Sequence, residues 1–117
     1  MSFLSELTAI ITALGVPVET GVFSVVPPDE YIVITPMSDI AAVSGDNRPV
    51  IDVYEARVSL MTKNNYNKRK NQIIRTLLDN GFTVTARHYA GYDNETAYHN
   101  FAVDAAKEYF FEEEDNG

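Results

Sequence analysis

Two histidines, His88 and His99, lie on either side of Asp93 and Glu95 in a stretch rich in turn residues. Imidazoles and carboxylates are the donors that divalent metals take, and a hairpin here would bring the two histidines toward each other. Against a metal stands the spacing, which matches no ligand motif. His88 shares an alternating face with Phe82, Val84 and Ala86 and reads as a histidine at the edge of a core, while Asp93 and Glu95 read as turn residues. Ser24, Ser38, Ser44 and Ser59 offer hydroxyls, but none sits in a strand-turn-helix elbow. The six glycines are scattered and form neither a phosphate loop nor a dinucleotide fingerprint. With no cysteine, thiolate nucleophiles, Cys-ligated zinc, iron-sulfur clusters and disulfides fall away together. The residues predict a noncatalytic chain with no metal and no cofactor.

What remains is surface chemistry. Acidic residues number 17 against 9 basic ones, a formal net charge of -8 that disfavours nonspecific nucleic-acid binding by the surface as a whole. Lys63, Lys68, Arg69, Lys70 and Arg75 are the local exception. One reading of this cluster is a nucleic-acid stripe. The plainer one is a solvated helix face that complements acidic patches on another copy, preferred because no aromatic beyond Tyr66 interleaves for base stacking. Two apolar groups are the other candidates. Val22, Phe23, Val25 and Val26 precede Pro27 and Pro28, which remove two backbone donors and keep the segment from pairing as an internal strand. Tyr109, Phe110 and Phe111 precede the acidic run Glu112 to Asp115. Three consecutive aromatics are costly to expose, so they cap the core or are covered by a neighbouring subunit.

The elements that must position these groups are legible in the periodicity. Phe3, Leu4, Leu7, Ile10, Ile11 and Leu14 recur at helical spacing behind Ser2 as N-cap, and Gly15 and Pro17 stop the helix. Residues 31–35 read as a strand that Pro36 ends, and 38–49 as a long connecting loop or an extended hairpin tip. Residues 50–62 alternate, with Tyr54, Ala56, Val58 and Leu60 on the buried face. Tyr66, Ile73, Ile74, Leu77 and Leu78 form the stripe of a second helix ending at Asn80-Gly81. Residues 82–89 alternate again, and a last strand begins near Ala97 and runs to about 106. This order predicts an α+β two-layer sandwich, a mostly antiparallel sheet with two helices on one face. At 117 residues, with 45% hydrophobic and 22% charged, it reads as one domain, 1–117, with 108–117 an acidic tail. No apolar run reaches membrane-spanning length, no basic residue precedes the apolar start as in a signal peptide, and Asn94-Glu95-Thr96 is a chance glycosylation triplet.

The whole pattern resembles the tail-completion or tail-terminator proteins of long-tailed bacteriophages and prophages. The resemblance rests on "LGVPVETGVFSVVPPDEYIVI", a long polar segment, "VYEARVSLMTK", a helix ending "LLDNGF" and a final "YHNFAV". It implies a structural protein of the virion tail that assembles in the host cytoplasm. Such a protein caps the tail tube as a homo-oligomeric ring, commonly a hexamer, terminates tube polymerisation and offers the head-joining surface. Its partners would be itself, the tail-tube protein and a head connector or head-closure protein, with no membrane, and with DNA only passing through the lumen. Gly21, Phe23, Pro27, Pro28 and Tyr31 match the family's signature turn, and no catalytic residue transfers. The expected interface comprises Val22, Phe23, Val25, Val26, Pro27, Pro28 and Tyr31, the basic trio Lys68, Arg69 and Lys70, and the aromatics Tyr109, Phe110 and Phe111. A head-closure or connector adaptor on the portal side is the alternative within the virion. A small nucleic-acid-binding protein using the basic helix at 63–75 is the alternative of another class.

Overall fold

Alternation in the sequence becomes a five-stranded sheet in the order β1-β2-β3-β5-β4, in a computed structural model that describes residues 2–20, 28–44 and 48–110. At 20, 38–44, 48–50 and 110 it describes the backbone only. The strands are β1 (Val18–Thr20), β2 (Glu30–Ser44), β3 (Arg48–Thr62), β4 (Thr83–Tyr92) and β5 (His99–Phe110). Helix α1 (Phe3–Thr12) precedes β1, and α2 (Tyr66–Asp79) lies between β3 and β4. Only the β1–β2 pair is parallel. The fold is therefore α+β with a mostly antiparallel sheet, as the order of elements implies.

Cross-strand rows explain where the core sits. Ile32, Leu60 and Phe101 pair in register, as do Ile34, Val58 and Val103, so these side chains stand on one face. Onto that face α1 brings Phe3, Leu7 and Ile11 and α2 brings Ile73, Ile74 and Leu77, all in one buried cluster. Both helices thus cover the same face, and among the described residues no helix or strand lies over the other. That other face carries the rows Val33-Ser59-Ala102 and Thr35-Arg57-Asp104. The caps are local chemistry. The Ser2 side chain accepts from the Ser5 amide, Asn65 accepts from the Asn67 amide at 2.9 Å, and Gly15 and Gly81 end the helices at φ +85° and +83°, where a Cβ would be strained.

Several expectations are corrected. Pro36 does not end its strand: β2 continues to Ser44 through a bulge between Pro36 and Ser38. β1 stops opposite Ile34, so among the described residues β2 has a neighbour on one side only from Thr35 onward, and a proline is tolerated there. Of the two readings of 38–49 the hairpin holds, with the tip at 45–47 outside the described residues. Leu78 is 56% exposed rather than part of the buried stripe, because it points about 100° away from Leu77 around the helix. β5 begins at His99 and runs to Phe110, past the expected end near 106, because β3 offers it partners as far as Ile51. β1, three residues long, was not anticipated, since so short a strand has no period to read.

The hairpin makes the molecule long. Its extents are 53 × 24 × 24 Å and its radius of gyration is 15.5 Å, against about 13 Å for a compact domain of this length. No helix among the described residues is long and apolar enough to cross a membrane.

Candidate functional site

The sheet gathers its aromatics into two clusters, one near each end. Near the α1 end, Phe3 stacks on Tyr54 with centroids 5.6 Å apart and meets Phe82 and Tyr109 at 5.9 and 6.3 Å. Glu6, one helical turn from Phe3, accepts from the Tyr109 hydroxyl at 3.0 Å and pairs with Lys107. Lys107 also donates to the Asn80 carbonyl and lies over the Phe82 ring at 4.8 Å. Tyr109 thereby takes the core-capping role of its two expected ones. Phe110 is a strand residue opposite Ile51, and Phe111 and 112–117 lie outside the described residues.

At the other end, Tyr66 opens α2 and stacks on Tyr89 of β4 at 5.2 Å and on Phe101 of β5 at 5.5 Å. His99 joins them, 4.7 Å from Tyr92 and 5.7 Å from Tyr66, and its Nδ1 shares a 2.8 Å hydrogen bond with the Tyr89 hydroxyl. Lys70, one turn along α2 from Tyr66, lies over Phe101 at 5.1 Å. This cluster is open: Tyr89 is 43% and Tyr92 49% exposed. Sequence reasoning missed it, having found no aromatic partner for Tyr66. The available signal was the density of tyrosine and histidine from 88 to 99 in a stretch flanked by strands.

The basic cluster divides by geometry. Arg69 donates to Glu30 at 3.1 Å, to Gln72 at 2.8 Å and to the Leu14 carbonyl at 3.3 Å, tying α2 to the end of α1 and the start of β2. Lys63 pairs with Asp29 at 3.5 Å and lies over Tyr98. Lys68 and Arg75 are exposed and make no ion pair with any described residue. Of the expected trio, then, Lys68 alone is solvated, Lys70 belongs to the open aromatic cluster and Arg69 is a structural tie.

His88 is exposed and not at the core edge. A bulge between Val84 and Ala86 turns it to the face opposite the helices, across from Ala102, while His99 pairs with Tyr92 on the helix face. The two histidines thus stand on opposite faces, and among the described residues no three of His, Asp and Glu gather as a metal site needs. Asp93 accepts from the amides of Glu95 at 2.8 Å and Thr96 at 3.4 Å, and the Glu95 amide first, then the Thr96 side chain, hold its pKa below the usual carboxylate value.

The remaining expected residues lie around the turn before β2. Val22, Phe23, Val25, Val26 and Pro27 fall outside the described residues. Pro28 is exposed and its carbonyl accepts from the Tyr98 hydroxyl, while Tyr31 meets Tyr98 edge-on at 5.4 Å. Burial, and then Tyr98, raises the Tyr31 hydroxyl pKa. On the same face Arg57 and Asp104 make a two-point pair at 2.8 and 3.0 Å, which raises the guanidinium pKa, first through the hydrogen bond and then through the charge. One open groove among the described residues, about 550 Å³, is lined by Val53, Gly81, Thr83, Ala106, Lys107 and Glu108. No family model matches the chain, and no curated protein matches it.

Proposed function

We propose that this chain is a noncatalytic structural protein of a phage tail. In this reading it caps the tail tube as a homo-oligomeric ring, terminates tube polymerisation and carries the surface that joins the head. The observation that carries it is the hairpin arm. β2 and β3 remain paired from Pro36 to Ser44 and from Arg48 to Ala56, while β1 flanks β2 only as far as Ile34 and β5 flanks β3 only from Ile51. Only Val43–Ser44 with Arg48–Pro49 lies beyond the end of β5; the rest of the arm is three-stranded, and from Thr35 onward β2 has no strand on its outer edge among the described residues, an open edge that calls for a partner. Residues 38–49, within this arm, resemble the segment that such proteins leave free for neighbours or tube subunits, which supports the reading. A polyanion-binding role for 63–75 is weakened by the internal engagement of Arg69 and Lys63.

Absolute mass in solution, by light scattering after size exclusion, tests the proposal, first on the chain alone and then with the tail-tube subunit of the same genome. A closed oligomer of about six copies, alone or on the tube, is the expected result. A monomer that ignores tube subunits and copurifies with a portal or connector subunit would transfer the role to a head-closure adaptor.

A further inference from the structure

We propose that the open aromatic cluster is the acceptor for the acidic run Glu112 to Asp115 of a second copy, forming a head-to-tail subunit contact. This deepens the ring reading and rests on it for closure of the contact into a ring.

The acceptor has an anchor, a charge and an edge. Tyr89 and Tyr92 are large rings left half in solvent, the side-chain type that anchors interfaces. In a chain of charge -8, the cations beside them are Lys70, over Phe101, and Arg87, which is exposed and stands on the helix face of β4 two residues from Tyr89. Neither makes an ion pair with a described residue. Asp93 and Glu95 bound the cluster on its turn side, so an acidic segment would lie toward Arg87 and Lys70. β4 is the last strand of the sheet, and its outer edge has no strand partner among the described residues. The bulges at Val84/Ala86 and Tyr89/Gly91 leave regular strand only over Ala86–Tyr89, long enough for a short segment and too short for open-ended strand addition.

The donor follows from the length of chain after β5. Phe110, opposite Ile51, is the far end of the strand from Phe101, nine residues and about 30 Å away. The acidic run ends at Asp115, five residues past Phe110, a reach of at most about 18 Å. It cannot turn back as far as its own Phe101 with Lys70 above it, so an acceptor that engages them belongs to another subunit. Donor and acceptor at opposite ends of one chain make a heterologous contact, the kind that generates rings when the rotation closes. Four carboxylates facing Lys70 and Arg87 supply the complementarity.

The test uses the full chain with Glu112→Gln, Glu113→Gln, Glu114→Gln and Asp115→Asn as isotope-labelled acceptor and a synthetic peptide of residues 108–117 as donor. Expected are peptide-induced NMR shifts at Tyr66, Tyr89, Tyr92 and His99, weakened about tenfold by Lys70→Glu with Arg87→Glu. In the intact chain that double reversal should abolish assembly, and lysines at 112–115 should restore it. If Lys70→Glu disturbs folding, Arg87→Glu with Tyr92→Ala serves instead. An absence of shifts, or unchanged assembly in the neutralised chain, overturns the contact, and so does a single-stranded oligonucleotide that shifts the same resonances more tightly than the peptide. Binding at the cluster by a chain that ignores tube subunits supports the contact and fails the terminator reading.

Discussion

The two aromatic clusters are built from the same chemistry and reach opposite outcomes. Each joins helix, β5 and a neighbouring strand, and each has a lysine over a ring. Around Phe3 the cluster is closed. α1 covers it, Glu6 satisfies both Lys107 and the Tyr109 hydroxyl, and Phe3 and Phe82 are buried. Around Tyr66, among the described residues, no helix covers the outer rings, Lys70 has no carboxylate partner, and two tyrosines are half exposed. What separates a core from a candidate interface here is whether the chain supplies the covering layer and the counter-charge.

Breaking the closed cluster should cost the most. Phe3→Ala removes a buried ring that three others touch and should destabilise by about 3–5 kcal/mol, read by urea unfolding. Glu6→Ala leaves Lys107 and the Tyr109 hydroxyl without their shared acceptor and should cost about 1–3 kcal/mol in the same assay. The open cluster sharpens the contrast. Tyr92→Ala should cost below about 1 kcal/mol of stability, since its ring is half solvated already, yet reduce the solution mass of the assembled form. The smallest effect belongs to Asp93. Its folded pKa lies below its ordinary 3.8, so its contribution is complete above that value and is lost as pH falls through the folded pKa. Hydrogen exchange at the Glu95 and Thr96 amides should accelerate over that range and in Asp93→Ala, without change at Leu77.

The closed cluster was partly legible and the open one was not. Phe3, Tyr54 and Phe82 fall on apolar faces that periodicity marks, because burial repeats every 3.6 or 2 residues. The rings of the open cluster come from positions 66, 89, 92, 99 and 101, on three elements, and the half-exposed Tyr89 and Tyr92 have no burial period to betray them. His88 went to the wrong face for a related reason. One bulge residue inverts the side chains that follow it until the second bulge at Tyr89/Gly91, and Thr85 in a TVTAR run looks like any other strand residue. Arg69 looks like Lys68 and Lys70 until α2 is packed against the end of α1.

By itself the sequence determined the elements and their class: the two capped helices, the alternating strands, the core stripes and an acidic chain without cysteine. These are properties of neighbours a few residues apart, and local spacing records them. Tertiary structure alone decided the parallel β1, the passage of β2 through Pro36, the meeting of Arg57 with Asp104 and of Glu6 with Lys107, and which aromatic cluster was left open. Each depends on pairing between distant segments, where register and bulge placement are set by the packing of the whole sheet.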